Sequence, residues 1–203
     1  MNKDRIEKVL DETKDVNLVV ASKYLDSKGI IELYKLCIHN FGENRVDAFL
    51  EKYDALKDYD IVWHFIGHLQ KNKAKKVINK ITYLHSLDSL ELAKIINDKC
   101  DIKLKCFVEV HLTSSETKNG VREDDLDIFM EEVKKYQKVD IIGFMTMTDE
   151  NQTIDEKREV FHKLNLLAKK YNLKELSMGM SLDYKIAIEE GATFVRLGHI
   201  ICD

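Results

Sequence analysis

The sequence predicts a single (β/α)₈ barrel of the TIM type, in the α/β class, from three observations. First, eight short β-branched runs alternate with longer amphipathic segments rich in Lys and Glu. Strict β–α alternation implies parallel strands covered by helices. Second, runs such as Ile141-Ile142-Gly143-Phe144-Met145 and Phe107-Val108-Glu109-Val110 are apolar on both faces or nearly so. Strands buried on both sides require that. Third, the first run ends in Ala21-Ser22-Lys23-Tyr24, without the glycine-rich turn that an open doubly wound sheet places there.

The strands are expected over residues 18–23, 40–44, 61–67, 81–87, 105–113, 139–147, 174–180 and 193–201. Between them, apolar residues recur at helical spacing over 27–39, 45–56, 71–79, 89–98, 124–136, 155–171 and 182–190,. In 155–171, for example, Val160, Leu164, Leu167 and Ala168 make one stripe, with Lys and Glu elsewhere,. Glu123-Asp124-Asp125 supplies the negative charge that a helix N-terminus favours,. With 203 residues, 44% of them hydrophobic, the chain can build one sizeable core but not two large domains,. Residues 1–203 are therefore read as one domain. The chain has no proline, so its turns rely on Gly, Asn, Asp and Ser,.

Composition excludes several functions. A net charge of −4 offers no basic field for nucleic acid or an acidic membrane surface,. No apolar run approaches the roughly 18 residues that span a bilayer,, and residues 1–14 are charged throughout and do not read as a secretory signal,. A soluble, cytoplasmic protein is expected. Cys37, Cys100, Cys106 and Cys202 lack paired spacing. They read as reduced, mostly buried thiols rather than metal ligands or disulfides. Lys71, Lys73, Lys75 and Lys76 read as a solvated helix face, because no aromatics interleave them,. His64 and His68 are four apart, but His64 lies in a strand run, so they share no helix face and predict no metal,.

Chemistry in such barrels sits at the C-terminal ends of the strands. Lys23 ends the run Val19-Val20-Ala21-Ser22. There it is expected to point into the barrel mouth, partly desolvated, where a neutral amine can form a Schiff base. The plain alternative is a lysine snorkelling to solvent. Ser177-Met178-Gly179-Met180-Ser181 leaves strand seven and is expected to open a helix at Leu182. Arg196-Leu197-Gly198-His199 makes a second glycine turn on strand eight. Each glycine alone reads as an ordinary turn, but loops after strands seven and eight form the recurrent phosphate site of these barrels. Strand one closes beside strand eight. An aldehyde near Lys23 and a phosphate near Ser181 and Gly198 then fit one molecule of pyridoxal 5′-phosphate (PLP). Met145, Met147, Met178 and Met180 read as packing, with Met180 placed for ring contact.

The sequence also resembles the PLP homeostasis protein family, barrels related to the N-terminal domain of alanine racemase. Eight blocks carry the resemblance along nearly the whole chain. They are Val20-Ala21-Ser22-Lys23, Phe41-Gly42-Glu43-Asn44-Arg45-Val46, the run from Trp63-His64-Phe65-Ile66-Gly67 to Lys73, and His85-Ser86-Leu87-Asp88. The others are Ser115-Glu116-Thr117-Lys118-Asn119-Gly120, Gly143-Phe144-Met145-Thr146-Met147, Leu176 to Ser181, and Val195-Arg196-Leu197-Gly198. The resemblance implies a fold type III PLP-binding barrel with Lys23 as the Schiff-base lysine. It also implies Arg196 facing the pyridine nitrogen, Ser181, Gly198 and His199 holding the phosphate, and Asn44 and His64 lining the cofactor's face. The sequence departs from the pattern at His199, where threonine is usual, near Asp203, where a closing glycine is usual, and in a short N-terminal helix.

An arginine stays protonated and hands the ring no proton, which suits cofactor holding better than transamination. Racemisation needs a second acid–base group on the opposite face, and the racemases take theirs from a C-terminal β-domain that does not follow strand eight here. The expected function is thus a PLP carrier or regulator in intracellular PLP homeostasis. The alternative is a weak PLP-dependent alanine racemase. Expected partners are PLP and apo PLP-dependent enzymes, and the missing β-domain points to a monomer.

Overall fold

The computed structural model describes residues 2–113 and 119–202. Most of the Ser115–Gly120 turn, and Asp203, lie outside them.

The chain opens with helix α1 (Lys3–Glu12), capped where the Asn2 side chain accepts from the Arg5 amide at 3.1 Å. Strand β1 (Asn17–Ala21) follows and passes into a one-turn 3₁₀ helix over Ser22–Tyr24. Four βα repeats come next: α2 (Ser27–Tyr34), β2 (Asn40–Glu43), α3 (Val46–Ala55), β3 (Val62–Phe65), α4 (Lys71–Ala74), β4 (Tyr83–Leu87), α5 (Leu90–Lys99) and β5 (Leu104–His111). A two-residue strand, β6 (Val121–Arg122), precedes α6 (Glu123–Val133). The chain continues through β7 (Val139–Met145), α7 (Ile154–Lys170), β8 (Glu175–Ser177), α8 (Tyr184–Glu189), β9 (Phe194–Leu197) and α9 (His199–Cys202). Helix α7 begins with a capping box, Thr153 and Glu156 each satisfying the other's amide,.

All ladders are parallel, in the order β4-β3-β2-β1-β9-β8-β7-β5, and β4 pairs back onto β5. Eight strands thus close on themselves, with β6 added at the rim of β5. Because successive side chains point to opposite faces, the closed sheet has two cores. Val19, Phe107, Met145 and Phe194 pack together as one. Their chain neighbours Val20, Val108, Phe144 and Val195 belong to the other, shared with helix residues such as Ile30, Phe49 and Leu164. We read the first as the barrel interior and the second as the layer between sheet and helices. The stripe Val160, Leu164, Leu167 and Ala168 is buried as its spacing requires.

All eight expected strands are present, but most are shorter at their C-terminal ends. The run expected over 193–201 divides at Gly198, whose carbonyl accepts from the Ile201 and Cys202 amides and so begins α9. Helix α8 starts at Tyr184, two residues after the predicted Leu182. Cys100 and Cys106 are buried, but Cys37 is exposed and Cys202 half-buried. Among the described residues, no helix is long and apolar enough to cross a membrane.

Candidate functional site

A cavity of about 290 Å³ opens at the C-terminal end of the barrel. Seven of the eight residues singled out from the sequence line it: Lys23, Asn44, Met180, Ser181, Arg196, Gly198 and His199. The β1–β9 ladder explains the gathering, because Val19 pairs with Arg196 and Val20 with Leu197, so Lys23 and Gly198 leave neighbouring strands at the same level.

Lys23 sits in the 3₁₀ turn rather than at the strand end, held by the Leu25 amide bonding the Ser22 carbonyl at 3.0 Å. The turn carries the lysine out to the rim, where it is exposed rather than partly desolvated as expected. Its Nζ lies 4.8 Å from the centre of the Tyr24 ring, and that ring in turn packs on His199, with centres 4.2 Å apart.

The glycine turns meet as predicted. The Gly198 amide donates to Ser181 Oγ at 3.3 Å. Gly179 holds the turn open with φ +94°, a conformation that glycine adopts without strain,, and its carbonyl accepts from the Arg196 amide at 3.0 Å. Asp183, 3% exposed, pins the turn carrying Ser181. It accepts from the Met180 amide at 2.7 Å and from Thr148 Oγ1 at 2.6 Å. The buried Lys157 Nζ stands 3.8 Å from the same carboxylate. Sequence reading missed Tyr24, Thr148, Lys157 and Asp183. An acid two residues after Ser181 was a legible turn signal, but Lys157 reads only as one lysine among many on a charged helix.

Asn44 is placed by close packing. A Cβ at Gly67 would stand 2.4 Å from the Asn44 carbonyl oxygen, so only glycine lets the two backbones approach,. Asn44 Oδ1 is buried and accepts no hydrogen bond.

Arg196 is 5% exposed. Its Nη1 donates to Ser177 Oγ at 2.5 Å and its Nη2 to the Thr146 carbonyl at 3.1 Å. Burial lowers its pKa to about 10, against the opposing pull of the Glu109 and Asp183 charges. It therefore remains a cation at neutral pH.

His64 departs from expectation and does not line the cavity. It is fully buried and stacked on Tyr83 at 4.6 Å. Both ring nitrogens are engaged, Nε2 with Asn40 Oδ1 at 3.0 Å and Nδ1 with His85 Nε2 at 2.9 Å. His68 lies apart, paired with Asp88 at 2.9 Å.

A closed parallel barrel with this mouth belongs to a recognised class. Residues 3–202 match the family described as alanine racemase, N-terminal domain. Among curated relatives, the pyridoxal phosphate homeostasis protein of Aquifex aeolicus (strain VF5) is 40% identical over 193 residues, covering 91% of this chain and 85% of that one. Its namesake in Synechocystis sp. is 36% identical over 197 residues, covering 92% and 90%. PipY of Synechococcus elongatus PCC7942 superposes with a TM-score of 0.93 in its structure without PLP (31% identity) and 0.90 in its structure with PLP bound (30%). Each covers 98% of this chain and 99% of PipY. The alanine racemase of Clostridium difficile 630, at 17% identity and TM-score 0.73, shares the fold. The chain belongs to the alanine racemase N-terminal domain family and, within it, to the pyridoxal phosphate homeostasis proteins.

Proposed function

We propose that this chain is a PLP-holding protein acting in PLP homeostasis, with residues 1–203 as one PLP-binding domain and Lys23 as the Schiff-base lysine. One observation carries the reading: an amine, a buried guanidinium and a serine–glycine cradle line a single cavity at the barrel mouth. The names of the relatives, and PLP in one PipY structure, support it.

The residues fit the group. Asn44, whose buried Oδ1 has no hydrogen-bond partner, lines the same cavity and offers it an acceptor. The Gly198 amide and Ser181 hydroxyl suit phosphate oxygens,, and the His199 imidazole stands beside them where threonine is usual. Bound PLP would supply a carbonyl carbon that condenses with an amine. Lys23 offers that amine, and its exposed position keeps it within reach of a recipient. Arg196 offers charge to a ring nitrogen without a transferable proton. Met180 and Asn44, which line the same cavity, would border the ring. His64 has no contact role in this assignment. The protein works as a cytoplasmic monomer and passes its cofactor to apo PLP-dependent enzymes.

The test is borohydride reduction of the PLP-loaded protein, followed by peptide mass analysis. A pyridoxyl adduct on Lys23, absent in Lys23→Ala together with the visible absorption band, supports the assignment. Identical spectra for the two proteins would overturn it.

A further inference from the structure

A row of polar groups, buried except for the half-buried Asn40 at its far end, crosses the barrel behind the cavity and ends on Arg196. From the cavity inward it runs Arg196 Nη1, Ser177 Oγ, His85, His64 and Asn40 Oδ1, with contacts of 2.5, 2.7, 2.9 and 3.0 Å. Ser177, His85 and His64 are fully buried, each at 0% exposure. The row draws on β9, β8, β4, β3 and β2, strands far apart in sequence.

Donor–acceptor logic orients it. A guanidinium only donates, so Ser177 Oγ accepts from Arg196. With Asn40 Oδ1 accepting at the far end, His64 carries its proton on Nε2 and accepts through Nδ1. His85 then donates from Nε2 and accepts through Nδ1, which takes the Ser177 proton. Every group is satisfied and every bond points away from the arginine. The reverse order would leave the Ser177 hydroxyl without an acceptor in this row.

We propose that His85 and His64 are positioning residues for Arg196, acting through Ser177 in a one-way relay of neutral hydrogen bonds. Aligned bonds in a low-dielectric interior polarise one another, so the serine presents a strengthened lone pair to the guanidinium. Among the described residues, the Arg196 guanidinium thereby bonds the dipoles of Ser177 and the Thr146 carbonyl, the Glu109 and Asp183 charges acting on it without a bond, and it lines the cavity as a cation. The inference rests on the PLP reading for its purpose, but the relay's geometry can be tested without cofactor.

Long-range proton–nitrogen spectra of the cofactor-free protein should find both histidines as Nε2–H tautomers, with resolved, slowly exchanging Arg196 Nη protons. An Nδ1–H tautomer at either histidine would overturn the relay. The variants are Ser177→Ala, His85→Phe (a shape match for the stack on Phe107) and the rescue Ser177→Thr. Both disruptive variants should lose the slow Arg196 Nη signals, and Ser177→Thr should keep them. In loaded protein they should retain PLP about tenfold less tightly, while the borohydride adduct still forms on Lys23. Unchanged Arg196 signals and PLP affinity in His85→Phe would refute the positioning role. A wild type with the predicted tautomers but no Lys23 adduct would refute the PLP reading alone.

Discussion

The Lys52 ammonium lies 2.6 Å from the Glu43 carboxylate and 2.6 Å from the Ser22 carbonyl. Glu43 is fully buried and also accepts from Ser22 Oγ at 3.2 Å and the Asn44 amide at 2.8 Å. One cation on α3 thus ties the turn bearing Lys23 to the strand end bearing Asn44. Replacing Lys52 by Met would leave a buried carboxylate without its partner. We expect a loss of about 3–5 kcal/mol in urea unfolding and weaker PLP retention. A loss below about 1 kcal/mol would mean that Glu43 is not held by this pair.

Acid should unfold the protein through its buried imidazoles. Burial lowers the His64 pKa to about 3. Burial, then the His64 and Arg196 charges, hold His85 well below its usual value. Unfolded histidine titrates near about 6.5, so below that pH the unfolded chain binds protons that the folded one refuses. Stability is therefore full above about 6.5 and falls as pH drops towards 3, by up to about 1.4 kcal/mol per pH unit for each histidine. Denaturant melts across that window should show the slope, and His64→Gln should flatten it.

Gly67 is a spacing element for the site. In Gly67→Ala the new methyl meets the Asn44 backbone at 2.4–2.7 Å. That should cost roughly 1–3 kcal/mol and weaken PLP binding, because Asn44 must move. Unchanged affinity would remove Asn44 from the site.

Asp183→Ala removes the acceptor for the Met180 amide and Thr148 and a carboxylate 3.8 Å from the buried Lys157 ammonium. A drop of about 2–4 kcal/mol is expected, with phosphate-bearing ligands affected more than pyridoxal itself. Equal losses for pyridoxal and its phosphate would argue that the turn does not serve the phosphate.

Thiol labelling should read out burial. Cys37 is exposed and should react first. Burial raises the Cys100 thiol to about 11 and Cys106 well above its ordinary value, so both should stay silent until the protein unfolds. Early modification of Cys106 would contradict the packed strand β5.

The alternation of β-branched runs and amphipathic segments determined the barrel, because strand and helix periods are local properties of the chain. It also determined which short segments meet at the mouth, since chemistry in a closed parallel barrel gathers at strand C-termini. Lys23, Ser181, Arg196 and Gly198 were legible that way. Tertiary structure alone decided which way each side chain turned. His64 and Lys157 show the exchange most clearly. His64 sits in a recognisable block, yet the strand register seats it inward on Asn40 and His85. Lys157 looks like surface charge, yet α7 lays it against Asp183. Periodicity assigns a residue to a face of its own element. What that face meets depends on strands and helices brought together across the whole chain, and no local pattern contains that information.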